Sequence, residues 1–205
     1  MELHSRRLIL RTWEDRHRAA FADMSADPAV MEYMLPMTRQ AAYTTWIDTQ
    51  RAHQHEHGFC FWAVEDRTDG TFVGTVGLHR VGYDAPFTPA VEIGWRVAHP
   101  FWGRGYAPEA AALCLRFGFE TLQLPEIVAN TAPDNQRSRH VMEKLGMMRD
   151  PQDDFYHPRI ALGHPLRRQV LYRLTRERWT TRNMTAPEGT QQEAAIQPTR
   201  PKTGT

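Results

Sequence analysis

Val91-Glu92-Ile93-Gly94-Trp95-Arg96-Val97-Ala98-His99-Pro100-Phe101-Trp102-Gly103-Arg104-Gly105-Tyr106-Ala107-Pro108-Glu109-Ala110 is the stretch on which the reading of the chain turns. Its first part alternates, with Val91, Ile93, Trp95 and Val97 set against Glu92, Gly94 and Arg96, which is the period of a strand. His99-Pro100 stops that strand, because proline has no N–H to give to a ladder. After two glycines, Ala110, Ala111, Leu113, Cys114, Phe117 and Gly118 recur at helical spacing, and Leu115 and Phe119 add apolar bulk.

Strand, glycine turn and helix in that order form a phosphate cradle. The first N–H groups of a helix have no internal partner, and the helix dipole makes that end positive. Gly103 and Gly105 have no side chain to hold a pyrophosphate away from their amides. Ala107 stays small, Pro108 fits the first turn, and Arg104 adds charge. Taken alone, Gly-x-Gly-x-Ala fits a plain glycine turn into a core helix equally well.

Outward from this stretch, the composition sets bounds. A chain of 205 residues that is 41% hydrophobic can bury one core, so one domain is expected. Lys plus Arg is 25 against 24 for Asp plus Glu, a balance that argues against a general nucleic-acid or membrane-surface binder. Cys60 and Cys114, both in apolar context, read as buried free thiols, which suits a reducing cytoplasm. There is no long apolar span and no basic segment leading into an apolar run.

Along the chain, residues 7–11 read as the first strand. Thr12 is placed to cap a helix through about Ser25. Asp27-Pro28 starts a short helix, and Thr38 caps another that carries Ala42, Trp46, Ile47 and Ala52 inward. His53 and His57 share a helical face at metal-ligand spacing, but a polar last turn ended by Gly58 is the stronger reading, and no metal is expected. Residues 59–65 and 71–81 form a hairpin about Asp69-Gly70, with Gly74 and Gly77 marking bulges or close contacts. Residues 83–89 are a loop of two prolines and two aromatics. Residues 125–131 form the next strand, Asp134 or Asn135 caps a helix ended by Gly146, and residues 155–158 and 170–174 give the last strand material. From about Thr180 the chain reads as a disordered tail.

Trp102-Gly103-Arg104-Gly105-Tyr106-Ala107 resembles the Arg/Gln-x-x-Gly-x-Gly/Ala acyl-CoA loop of the GNAT N-acetyltransferase superfamily, with Trp102 in the place of the usual Arg or Gln. The branch resembling the ribosomal-protein N-terminal acetyltransferases (RimJ/RimL type) often has Trp there. Arg7-Leu8-Ile9-Leu10-Arg11 looks like its opening strand. Asn135-Gln136-Arg137-Ser138, followed by Glu143-Lys144-Leu145-Gly146-Met147, looks like its second CoA motif. The resemblance covers roughly residues 5 to 176. It implies an α/β fold with a central mixed, mostly antiparallel sheet, splayed at the central strand and flanked by helices. The domain would span residues 1–179, ahead of a tail at 180–205.

The same resemblance implies acetyl-CoA as donor and an amine as acceptor, in a cytoplasmic monomer or homodimer. It sets Trp95, Arg96 and Val97 along the cofactor arm through their backbone amides, with the Val97 N–H as oxyanion donor. Gly103, Arg104, Gly105, Tyr106 and Ala107 would hold the pyrophosphate, and Asn135 and Ser138 the arm. Asn135 is equally a helix cap. The helices before the hairpin and the loop with Phe87 would wall the acceptor site, with Phe155 and His157. The position seven residues after Asn135, often a tyrosine acid in this superfamily, is Met142, so Ser138 is nominated as acid. Five residues before Asn135, where some members carry Glu, stands Asn130. Glu92 is left as the base, unless it is a structural partner of an arginine.

Acetyl transfer needs a neutral amine. At pH 7 a peptide α-amine of pKa near ~8 costs about 1.4 kcal/mol to deprotonate, and a lysine near ~10.4 about 4.6. One carboxylate base suits the first better, so an N-terminal amine or a small amine of low pKa is expected. A non-catalytic acyl-CoA sensor on the same scaffold is the reading from another class.

Overall fold

The computed structural model describes residues 1–185 and 196–197. In chain order, the strands β1 (Glu2–His4) and β2 (Leu8–Arg11) lead to the helices α1 (His17–Met24), α2 (Pro28–Met31), α3 (Arg39–Ala41) and α4 (Ile47–His57). The hairpin β3 (Phe61–Asp66) and β4 (Phe72–Arg80) then precedes β5 (Val91–Val97), α5 (Tyr106–Arg116), β6 (Glu126–Thr131) and α6 (Gln136–Lys144). The short strands β7 (Met148–Arg149) and β8 (Phe155–Tyr156), then β9 (Arg168–Thr175), α7 (Arg176–Thr185) and β10 (Ile196–Gln197), complete the described chain.

The strands form one sheet in the order β10-β1-β2-β3-β4-β5-β6-β9-β7, with β8 on β9. Every pairing is antiparallel except β5 with β6. That pair is registered only at Glu92↔Val128, whereas β4 and β5 pair over seven residues, Arg80↔Val91 to Gly74↔Val97. The sheet is therefore mixed, mostly antiparallel and splayed along β5, as the resemblance implied. Alternation along β5 sends Ile93 and Val97 into the main core with the helix α5, while Glu92, Gly94 and Arg96 share the other face. That second face is roofed by α1 and the segment between α3 and α4, which bring Phe21 and Trp46 over Arg96. Trp62, Phe21, Leu10, Leu78 and Ile127 are completely buried, and each such side chain contributes roughly 1.5–3 kcal/mol.

Gly74 permits a close strand contact. A Cβ there would overlap the Arg96 carbonyl and come within 2.9 Å of the Val97 Cα, so only glycine lets β4 lie this close to β5.

Three local expectations need correction. The helix α1 starts at His17 and is not capped by Thr12. The indole of Trp13 is buried and donates to the Phe61 carbonyl at 2.6 Å, which keeps the chain extended past Thr12. Ala52 is exposed and His53 is buried in its stead. A π turn over Ala42–Trp46 adds a residue between α3 and α4 and rotates every later side chain about the axis. Thr38 does cap α3, accepting from the Ala41 N–H at 3.1 Å. Residues 180–185 continue α7 rather than opening a tail; of the tail beyond them, all but residues 196–197 lies outside the described residues.

Candidate active site

The splay is a consequence of hydrogen-bond parity in β5. Ala98 N–H donates to Val73 O at 2.9 Å, and Val81 N–H to Ala90 O at 3.0 Å. Even-numbered residues of β5 therefore bond to β4, and alternation turns the N–H groups of Ile93, Trp95 and Val97 toward β6. Beyond the Glu92↔Val128 register β6 has diverged, so Trp95 and Val97 present their amides to the opening. Arg96 is the exception among the three residues expected along an arm, because its amide faces Thr75 of β4. The Val97 carbonyl, on the same open edge, accepts from the Trp102 indole N–H at 2.7 Å. Trp102 thus ties the end of the strand to the loop. Its ring is flanked by His99 at 4.6 Å and by the Arg137 guanidinium at 4.4 Å.

The loop after the strand opens the helix through two glycines in the left-handed backbone region. Gly103 and Gly105 have φ of +74° and +78°, and no atom lies within 4 Å of where a Gly103 Cβ would stand. Gly105 is the N-cap of α5. The Glu109 N–H bonds back to Gly105 O at 3.2 Å, so the N–H groups of Tyr106 and Ala107 point out of the helix end. The Tyr106 hydroxyl donates to Asp66 Oδ2 at 2.7 Å and anchors the helix start to β3. Arg7 belongs here as well, which the sequence reading missed. Its guanidinium lies over the Tyr106 ring at 4.6 Å, and its Nη2 lies 3.6 Å from the Cβ position of Gly105. Glu109 holds it through Nε at 2.7 Å and Nη2 at 2.5 Å. Burial raises the Glu109 pKa, but the bonds from Arg7 and Ser5 outweigh it and keep the carboxyl below its ordinary value.

At the start of β5, Glu92 is half-buried. Its Oε2 accepts from Asn130 Nδ2 at 3.2 Å, and Asn130 Nδ2 also lies 3.4 Å from Tyr83 Oη. No arginine pairs with Glu92 among the described residues. Desolvation pushes its pKa from 4.5 up to about 7, and the Asn130 bond opposes this only in part. Desolvation, with the Glu92 charge second, raises the Tyr83 phenol. Tyr83 is the other aromatic of the loop at 83–89, from which only Phe87 is nominated on sequence. Phe87, Phe155 and His157 gather around it, with Tyr83 to His157 at 4.3 Å and Phe87 to Phe155 at 5.0 Å.

Asn135 caps α6: its Oδ1 accepts from the Ser138 N–H at 3.1 Å, and its Nδ2 donates to Thr131 Oγ1 at 2.9 Å. Ser138 is half-buried, one turn along. Met142 is 1% exposed in the main core, so that position faces packing and not the opening. His53 has both ring nitrogens engaged, Nδ1 with Phe59 O at 2.7 Å and Nε2 with the Arg80 N–H at 3.2 Å. It is therefore a core histidine.

Residues 7–148 match the family model described as "Acetyltransferase (GNAT) domain". The chain belongs to the GNAT acetyltransferase family. Among curated relatives, the Bacillus subtilis protein YkkB is 34% identical over 142 residues, 69% of this chain and 81% of that one. The FsC-acetyl coenzyme A-N(2)-transacetylase of Aspergillus fumigatus is 32% identical over 192 residues, 86% of this chain and 77% of that enzyme. Among solved structures, a GNAT-family acetyltransferase from Bacillus anthracis superposes with a TM-score of 0.71 at 26% identity, covering 86% of this chain and 99% of that one. The protein is an N-acetyltransferase of a family that uses acetyl-CoA, and the cradle described above has the chemistry to hold that donor. Among the described residues no group of His, Cys, Asp or Glu could hold a metal ion, and no helix is long and apolar enough to cross a membrane.

Proposed function

We propose that the open β5–β6 edge and the loop after it bind acetyl-CoA, and that Glu92 takes the proton of the amine that is acetylated. The observation that carries this reading is the environment of Glu92. It has an amide partner and no arginine, and burial raises its pKa to about 7, where a general base works best at neutral pH. A carboxylate kept for an ion pair would be shifted down instead.

Acetyl-CoA, when bound, supplies an acyl carbon activated by its thioester. The N–H groups of Gly103, Arg104, Gly105, Tyr106 and Ala107, with the charges of Arg104 and Arg7, hold the pyrophosphate. Trp95 and Val97 offer backbone N–H groups to the arm. The Val97 N–H stabilises negative charge on the acetyl oxygen as the amine adds. Asn135 holds Ser138 in place through its backbone, and the Ser138 hydroxyl donates to the departing sulfur. Phe87, Phe155 and His157, with Tyr83, form the wall against which the acceptor packs.

The acceptor we favour is an α-amine at a peptide or protein N-terminus, acetylated in the cytoplasm by a RimJ/RimL-like enzyme. The Trp102 loop and the Asn135–Ser138 motif support that branch, and the smaller cost of deprotonating an α-amine supports that acceptor. A small amine is the second reading, supported by the relative from Aspergillus fumigatus, whose name places the acetyl group on N(2) of FsC. CoA release measured against peptides with free N-termini, the same peptides N-blocked, and small amines tests the proposal. Turnover confined to free amines is expected; no release with any of them refutes it.

A further inference from the structure

Arg96 lies on the same face of β5 as Glu92, four residues further on, with Gly94 between them. Its guanidinium is 5.4 Å from the Phe21 ring and 5.9 Å from the Trp46 ring, and Nη1 donates to Ser25 Oγ at 3.1 Å. Its Nε is buried without a partner, and so is Oγ1 of Thr75, directly across in β4. No Asp or Glu pairs with Arg96 among the described residues, and burial alone lowers its pKa to about 10.

Other partly buried arginines are answered either by a carboxylate or, as Arg139 and Arg167 are, by backbone carbonyls, with the Nε of each engaged. Arg11 meets Glu65 at 3.1 Å, Arg149 meets Asp154 at 2.5 Å, and Arg173 is held by both Glu126 and Asp153 at 2.7 Å. A cation withdrawn from water is costly unless an anion answers it, and a buried donor without a partner calls for an explanation. Here the missing anion would lie under α1 and the π turn, on the face of β5 opposite α5, in line with Glu92. The phosphate cradle, which leads directly into α5, already has its own donors.

We propose that Arg96 is an anion subsite of the acceptor pocket, and that the natural acceptor is an amine that also carries a carboxylate. The proposal rests on the reading of Glu92 as the base. Four strand residues separate the Glu92 and Arg96 backbones by about 13 Å. A free dipeptide, which keeps an α-amine of low deprotonation cost, spans such a site better than an α-amino acid, whose two charges lie on adjacent carbons. Nη2 is the donor left for the carboxylate, since Ser25 occupies Nη1 and Nε is closed in behind it.

The test uses matched acceptors, dipeptides as free acids and as the corresponding C-terminal amides, with wild type, Arg96→Met, Arg96→Lys and Glu92→Gln. Wild type should favour the acids by about tenfold or more in kcat/KM, the scale of a charged hydrogen bond left unmade. In Arg96→Met that preference should fall to within about twofold, mainly through KM, while acetyl-CoA affinity holds. Arg96→Lys should keep part of it. The melting temperature of Arg96→Met should equal or exceed that of wild type, because an unpaired buried charge has been removed. Equal use of acids and amides by wild type, an acid preference that survives Arg96→Met, or no acetylation of any acid would overturn the proposal. So would Arg96→Met unfolding several degrees early, the mark of a structural arginine. Failure of the underlying reading is separate: it appears as Glu92→Gln turning over at the wild-type rate, whichever acceptor is preferred.

Discussion

Glu92→Gln should both disable the enzyme and stabilise it, and the two effects should share one pH dependence. Gln keeps the shape of the side chain and an oxygen for Asn130 Nδ2 but cannot take a proton. The folded protein raises the Glu92 pKa from 4.5 to about 7, so it favours the neutral carboxyl. The sign follows: that preference adds stability below about pH 4.5 and is lost as pH rises through about 7. Above pH 7 the protein carries a desolvated charge that costs up to about 3 kcal/mol relative to the unfolded chain. Gln removes that cost. Urea unfolding should therefore show Glu92→Gln more stable than wild type by about 2–3 kcal/mol at pH 8 and nearly equal at pH 4.5. Over the same range the wild-type turnover number should climb through about pH 7 and level off. The variant should lie ~100-fold or more below that plateau, with unchanged acetyl-CoA affinity. A variant less stable than wild type at pH 8 would mean that the charged carboxylate is favourably held, and the argument for a base would fail.

Gly105→Glu should abolish acetyl-CoA binding in calorimetry, since a carboxylate would stand in the cradle and the backbone there has φ of +78°. Trp102→Phe keeps the ring but loses the bond to Val97 O, and should raise KM for acetyl-CoA severalfold with little change in melting temperature. Gly74→Ala should unfold the protein at lower urea, by roughly 1–3 kcal/mol, because its Cβ has no room against the backbone of Arg96 and Val97.

The strand, glycine turn and helix at 91–116 were legible because each signal is local: a period of two, then backbone freedom at Gly103 and Gly105, then a period near four. Capping by Thr38 and Asn135 was legible for the same reason. What escaped depends on partners distant in the chain. The parity that withdraws the Arg96 amide is set by β4, and no feature of residues 95–97 reveals which edge β4 takes. The π turn that buries His53 and exposes Ala52 follows from packing, since helical periodicity assumes an unbroken phase. Asn130, read as the loss of a carboxylate, is the residue that holds Glu92. Arg7 reaches the cradle through a pairing with Glu109 more than a hundred residues away, and Tyr83 reaches Glu92 from a loop. β1 and β7 are two or three residues long, too short to display a period.

Residue-resolved amide hydrogen exchange with and without acetyl-CoA tests the central claim most directly, because the two edges of β5 should answer differently. The Trp95 and Val97 amides, which face the opening, should slow by tenfold or more when acetyl-CoA binds, together with those of Gly105, Tyr106 and Ala107. The Arg96 amide, already bonded to β4, should exchange slowly in both states and change little. Protection that appears elsewhere while Trp95, Val97 and the loop stay unchanged would contradict the placement of the donor.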